Sequence, residues 1–170
     1  MLISLAINRS LTAYLGNETR IKWPNDIYYL DKKIGGILIE NTLVGNVIKA
    51  AIIGIGINVN QMSFEEDLAD KATSMGQILK KEIHLSALLH SICNEIESLY
   101  LQQRGNINNK LRQMYVEKLY RFNQLASYQK NGEVFDGTIT GISEEGLLQV
   151  DISGRQHEFN FKEIKFLDLF

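Results

Sequence analysis

Apolar residues fall on one helical face from the start of the chain, at Leu2, Leu5, Ala6, Leu11, Tyr14 and Leu15, and Gly16-Asn17 follows as a stop signal. The spacing predicts a helix over 2–15. Thr19 to Lys22 predicts a short strand, broken at Pro24, and Asn25-Asp26 is loop chemistry. Ile27–Leu30 and Ile34–Asn41 predict two strands of a hairpin around Asp31-Lys32-Lys33. Gly45-Asn46 predicts a turn. The run Val47–Asn60 is apolar with little alternation, as in a central strand covered on both faces.

Residues 61–80 are polar and acidic and predict loop or short helix. Leu85, Leu88, Leu89, Ile92, Ile96, Leu99 and Tyr100 then recur at helical spacing and predict a helix to about Gln103, with another over Ile107–Lys118. Beyond Arg121 the pattern changes to short strands, with turns at Asn131-Gly132, Glu145-Gly146 and Ser153-Gly154. Strands at that spacing predict a small β-barrel. The domain boundary is therefore placed near Arg121, dividing residues 1–120 from 121–170.

Composition alters this picture little. The 170 residues are 45% hydrophobic and 22% charged with net charge −2, so no global charge points to nucleic acid or an acidic membrane. A single cysteine, Cys93, cannot close an internal disulfide, which favours a cytoplasmic setting and a small packing role for its side chain. No apolar run approaches the roughly 20 residues that span a bilayer. His84, His90 and His157 are too scattered to suggest a metal site.

Candidate chemistry concentrates between Arg20 and Glu40, where the only Trp and the only Pro are adjacent, as Trp23-Pro24. Lys33 abuts Ile34-Gly35-Gly36, and glycine lets a ligand approach the backbone while a lysine ammonium neutralises phosphate or carboxylate. Asn25 and Asp26 could bind hydroxyls or help to hold Mg²⁺. The Gly54-Ile-Gly-Ile-Asn-Val stretch lacks the third glycine of a dinucleotide fingerprint. Its glycines admit either a packed neighbour or a ligand, and Asn58 and Asn60 lie at the strand end.

Together, "KWPNDI" at Lys22–Ile27, "KKIGGILIE" at Lys32–Glu40 and "GIGINVN" at Gly54–Asn60 resemble biotin protein ligases, also called biotin–acetyl-CoA-carboxylase ligases. The resemblance extends over essentially the whole chain. It implies an α+β/α/β fold: part of a class II synthetase-like mixed sheet with helices, followed by a small SH3-like β-barrel. It also implies ATP-dependent activation of biotin to biotinyl-5′-AMP, then transfer to a lysine of a biotin carboxyl carrier protein domain.

By position, the resemblance makes Lys33 the catalytic lysine, contacting biotin and the acyl-adenylate. Gly35, Gly36, Ile37 and Trp23 would line the biotin/adenylate site. Lys22, Asn25, Asp26 and Asn58 would serve ATP and its phosphates, with Asp26 and Asn58 holding Mg²⁺. The implied partners are the carrier domain and, for self-association, a homodimer, with no DNA-binding domain and no membrane.

Family members also carry, upstream of the first motif, a segment with a Gly/Arg-rich loop that folds over the adenylate, and no such loop occurs in these residues. The expectation is an exposed apolar face, an unpaired sheet edge and weak activity of the chain alone. The alternative function is a non-catalytic biotinyl-AMP or partner-binding module.

Overall fold

The computed structural model of the chain describes residues 1–45, 47–103 and 108–167. Helix α1 spans Leu2–Leu15 and ends at Gly16, whose φ of 80° with ψ of −168° is open to glycine and whose N–H donates to Thr12 O. Ile3, Ile7, Leu11 and Leu15, four residues apart, enter the main core. Leu5 and Ala6 enter a second cluster with Leu99 and Leu111, so α1 is buried on two sides.

Four strands follow the chain order in one sheet: β1 (Thr19–Lys22), β2 (Asp26–Tyr29), β3 (Lys32–Val44) and β4 (Val47–Ile57). All their pairings are antiparallel. Parallel contacts among the described residues are single bridges, such as Ile21 with Leu119 and Lys33 with Ala72, so the expected mixed sheet is corrected to an antiparallel one. The β2–β3 turn is Leu30-Asp31, with Leu30 in the left-handed region at φ 50°. The Gly45-Asn46 turn lies partly outside the described residues.

A short helix, α2 (Met75–Leu79), is N-capped by Ser74, whose Oγ accepts the Gln77 N–H at 3.0 Å. Helix α3 (Leu85–Gln103) buries Leu88, Ile92 and Leu99 with Ile96 partly buried, whereas Leu85, Leu89 and Tyr100 of the predicted stripe are exposed. Cys93 is exposed as well, which overturns its packing role. Helix α4 (Asn108–Val116) ends two residues before the predicted limit, and Ile107 lies outside the described residues.

The C-terminal strands β5 (Leu125–Lys130), β6 (Glu133–Ile142), β7 (Leu148–Ile152), β8 (Arg155–Phe159) and β9 (Lys165–Phe166) form a second antiparallel sheet, in the order β8-β7-β6-β5-β9. Asn131-Gly132 and Ser153-Gly154 have both residues at positive φ, the type I′ geometry that twists with a hairpin. β8 and β9 end the sheet without pairing to each other among the described residues. The predicted barrel is thus an open five-stranded sheet. No helix of the described residues is long and apolar enough to cross a membrane.

The largest departure is β4. It is the edge of its sheet and exposed over ten of its eleven residues, not a strand covered on both faces. Leu38, Leu43, Ile48 and Ile52 are each at least 58% exposed, which matches the expectation of an apolar face and an open edge.

The two sheets meet through residues 115–122. Ile21 N–H donates to Lys118 O and Tyr120 N–H to Ile21 O, both at 2.8 Å, continuing the ladder beyond β1. Tyr120 donates to Asp31 Oδ1 at 2.7 Å and packs against Tyr28 and Phe166. Burial, reinforced by the Asp31 bond, pushes the Tyr120 hydroxyl up to about 12, and burial alone raises Tyr128 to about 12 against a weaker opposing effect of Arg121.

Two outcomes follow from this packing. Ile34→Ala, at a fully buried position, is expected to cost about 2–5 kcal/mol in urea unfolding, whereas Ile52→Thr on exposed β4 changes stability by less than about 0.5 kcal/mol. The raised tyrosine values stabilise the fold fully below the ordinary pH 10, and that stability is lost as pH climbs through about 12. The urea midpoint is therefore expected to fall across that window, with Tyr120→Phe flattening part of the fall.

Candidate active site

The site is built on the middle of the first sheet. Antiparallel pairing sets Asp26 opposite Gly36, Gly36 opposite Gly56 and Leu38 opposite Gly54, and residues paired this way share a face. The opposite face carries Ile27, Ile37 and Ile57, which pack into or against the main core. A one-residue irregularity puts Lys33 on the open face. Tyr28 pairs with Lys33 and Ile27 with Gly35, so Ile34 is skipped and turns into the core.

Lys33 Nζ stands 2.6 Å from Asp26 Oδ1, with 44% and 30% of the two side chains exposed. An ion pair this open adds at most about 1 kcal/mol of stability. Its main consequence is to hold the ammonium over Gly36, where an added Cβ would lie 3.1 Å from Asp26 Oδ1 and 3.3 Å from Lys33 Nζ. Gly36, Gly56 and Gly54 together make a strip of floor without side chains beside that charge. On the core side, a Cβ at Gly35 would sit 2.7 Å from the Gly56 carbonyl, so glycine is required there for strand approach.

The backbone around Lys33 is fixed by a segment that the sequence did not mark. Lys33 N–H donates to Lys71 O at 2.8 Å and Thr73 N–H to Lys33 O at 2.9 Å. Lys32 Nζ reaches Ala69 O at 2.9 Å, and Asn58 donates its amide to Thr73 O at 3.1 Å. Thr73 thus joins the two motif segments through its backbone, which leaves no signature in residue type. Asn60 is likewise engaged, bonded in both directions to the backbone of Ile83.

Asn25 is locked to β3. Its carbonyl accepts the Ile37 N–H at 2.9 Å and its side-chain amide donates to Ile37 O. The structure therefore gathers Asn25, Asp26, Lys33 and Gly36, with Gly35 and the Ile37 side chain behind them on the core face and Asn58 at the end of β4.

Lys22 pairs with Asp26 and shares its face but turns its ammonium away from Lys33, and Trp23 enters the core. Lys22 Nζ lies 2.9 Å from the Tyr28 hydroxyl and 5.1 Å from the centre of the Phe166 ring, in a cavity of about 460 Å³ that Tyr120 and Arg121 also line. Trp23 is 9% exposed, belongs to the core, and donates its indole N–H to Gly146 O of the second sheet at 3.0 Å. Behind this corner Tyr115 donates to Pro24 O at 3.3 Å, and burial holds its hydroxyl well above the ordinary tyrosine range.

No cluster of three or more His, Cys, Asp or Glu suited to a metal occurs among the described residues. The donors near the site are the Asp26 carboxylate and the Asn58 side-chain carbonyl. Asp26 Oδ1 is paired with the Lys33 ammonium, and the Asn58 amide N–H is bonded to Thr73 O.

The model of the biotin/lipoate A/B protein ligase family matches residues 1–58, the segment that carries all of these site residues. Residues 1–58 carry a domain of that family. The chain is 31% identical over 153 residues to the bifunctional ligase/repressor BirA of Bacillus spizizenii, covering 89% of this chain and 47% of that protein. It is 30% identical to human biotin–protein ligase over 86% of this chain and 20% of that one. The chain spans about half the length of the Bacillus relatives it matches. The apo structure of Aquifex aeolicus biotin protein ligase superposes with a TM-score of 0.80 at 23% identity, covering 98% of this chain and 72% of that chain. The chain thus has the mixed α/β fold of that solved structure.

The two glycines of the site make a discriminating pair. Gly35→Ala meets backbone and is expected to cost about 1–3 kcal/mol in chemical denaturation. Gly36→Ala meets only the flexible ends of Lys33 and Asp26. It is expected to leave the denaturation midpoint nearly unchanged while displacing the Lys33 ammonium, read as a change in the ¹⁵Nζ resonance of Lys33.

Proposed function

We propose that this chain serves biotin–protein ligation, with residues 1–120 as part of the catalytic domain and 121–170 as an SH3-like unit appended to it, acting in the cytoplasm. The observation that carries this reading is the Lys33 ammonium held above a side-chain-free glycine floor, at the positions where the family motifs fall. A solved Aquifex aeolicus relative of the same fold is a complex with biotin and ATP, which supports the assignment of both substrates.

In the first step a biotin carboxylate oxygen attacks the α-phosphorus of ATP. The bond from that phosphorus to the β-phosphate bridging oxygen breaks, giving biotinyl-5′-AMP and pyrophosphate. Negative charge grows on the non-bridging α-phosphate oxygens, and the Lys33 ammonium, fixed by Asp26, stabilises it there without reorganising. In the second step the neutral ε-amine of a carrier-domain lysine attacks the acyl carbon. The acyl–oxygen bond breaks, AMP leaves, and the amine loses its proton as the amide forms. Lys33 steadies the departing phosphate.

The glycine floor lets the adenylate lie close to the backbone of β3 and β4. Asn25 holds β3 in place, and Asn58 ties the end of β4 to Thr73. When bound, Mg²⁺ supplies Lewis-acid charge neutralisation on the triphosphate, with Asp26 and Asn58 as its protein oxygens.

The test is incubation of the chain with biotin, Mg-ATP and a biotin carboxyl carrier domain, following pyrophosphate release and carrier labelling. Slow but measurable adenylate formation is expected, reduced about 100-fold or more by Lys33→Ala. Biotinyl-AMP binding without any turnover would instead identify a non-catalytic binding module. A chain that neither turns over nor binds biotinyl-AMP would reject the proposal.

A further inference from the structure

We propose that the Ser143–Leu147 turn of the second sheet is a positioning element for the Lys33–Asp26 site, with Trp23 as the residue that transmits it. This rests on the ligand site described above but concerns residues outside it. The turn joins β6 to β7 and is held by its own hydrogen bonds. Ser143 N–H donates to Leu147 O at 2.9 Å, Gly146 N–H to Ser143 O at 3.1 Å, and Leu147 N–H to Ser143 Oγ at 3.2 Å. Ser143 Oγ donates in turn to Glu145 Oε2 at 2.9 Å, and Ser143 is 6% exposed. Gly146, at φ 92°, presents its carbonyl to the Trp23 indole. A buried N–H left without an acceptor is costly, so the indole follows that carbonyl.

Trp23 is two residues from Asn25 and three from Asp26. Pro24 between them is held from behind by Tyr115, and Asn25 is bonded twice to Ile37. The path from turn to ion pair is therefore continuous and short: Gly146 carbonyl, Trp23 indole, the Pro24 corner, Asn25 on Ile37, Asp26 on Lys33. Trp23, placed by its sequence motif among ligand contacts, acts here as a positioning residue that links the two sheets.

The experiment uses the whole chain and two variants remote from Lys33. Trp23→Phe keeps an aromatic ring and deletes the donor, and Ser143→Ala loosens the turn. Ser127→Ala, which loses an exposed bond to Asp136 in the same sheet, is the control. The first readout is hydrogen exchange at the Ile37 amide, which reports the Asn25 clamp, against amides of α1, which report global opening. The second is biotinyl-AMP affinity.

Expected are about tenfold faster exchange at Ile37 and about tenfold weaker binding in each variant, with α1 amides little changed and the double variant no worse than either single. Since Trp23 is the only tryptophan, Ser143→Ala is also expected to red-shift the emission. Ile37 exchange equal to wild type in both variants would overturn the proposal, as would faster exchange with unchanged affinity. If the wild-type chain bound no biotinyl-AMP, the ligase reading would fail, while the Ile37 exchange and the emission shift would still decide the coupling.

Discussion

The site depends on one skipped residue in the β2–β3 ladder. In a regular strand Lys33 and Gly36, three apart, would face opposite sides of the sheet. The irregularity at Ile34 breaks that parity, sending Ile34 into the core and Lys33 to the open face beside Asp26 and Gly36. The skipped Ile34 gives its carbonyl to the Asn58 N–H, and the Lys33 N–H and carbonyl beside it bond to Lys71 O and Thr73 N–H. The acidic loop that reads as a mere connection is therefore part of what aims the lysine. Gly35 is required by the same arrangement, because its neighbour across the ladder is a carbonyl oxygen that leaves no room for a Cβ.

A second constraint acts from the far side of the molecule. The Pro24 corner carries Asn25 and Asp26 on one side and is gripped on the other by Tyr115, by Lys118 and Tyr120 through Ile21, and by Gly146 through Trp23. These partners are mostly backbone carbonyls and amides. Their geometry is set by how α4 and the second sheet pack, not by side-chain choice. Among the described residues, the exposed end of the β3–β4 hairpin has no such support. There the ladder alone holds the strands, and Leu38, Leu43, Ile48 and Ile52 face solvent.

How much of this was legible in the sequence depended on whether the controlling interaction was local. The span of α1 was, since its apolar spacing and its Gly16 cap are read within sixteen residues. The Asn131-Gly132 hairpin was too, because positive φ at both positions dictates the residue types. The motif positions located Lys33, Asn25 and Asp26 beside one another. What failed was long-range. An apolar run looks the same at a sheet centre and at an open edge, so β4 was misplaced. Trp23 was expected in the ligand wall, yet its direction is set by a carbonyl 123 residues away. Likewise the Lys22 ammonium is drawn toward Tyr28 and Phe166, a choice that no local pattern records. Cys93 and Leu89 sit in a good helical pattern but outside the seam that α3 buries.

These two constraints explain why the charged group and its floor tolerate such different exposure. The Lys33–Asp26 pair is open to solvent and adds little to stability, so the fold does not depend on it. Its precision comes from buried neighbours on either side: Ile27, Ile34 and Ile37 beneath the sheet and Trp23 at the corner. Under the proposed function, a ligand carboxylate or phosphate arriving over Gly36 would meet an ammonium already in place, with the ordering entropy of β2 and β3 spent during folding, not during binding. The isoleucines that fix the pair lie on the other side of the sheet, so the face over Gly36 stays open without repacking them.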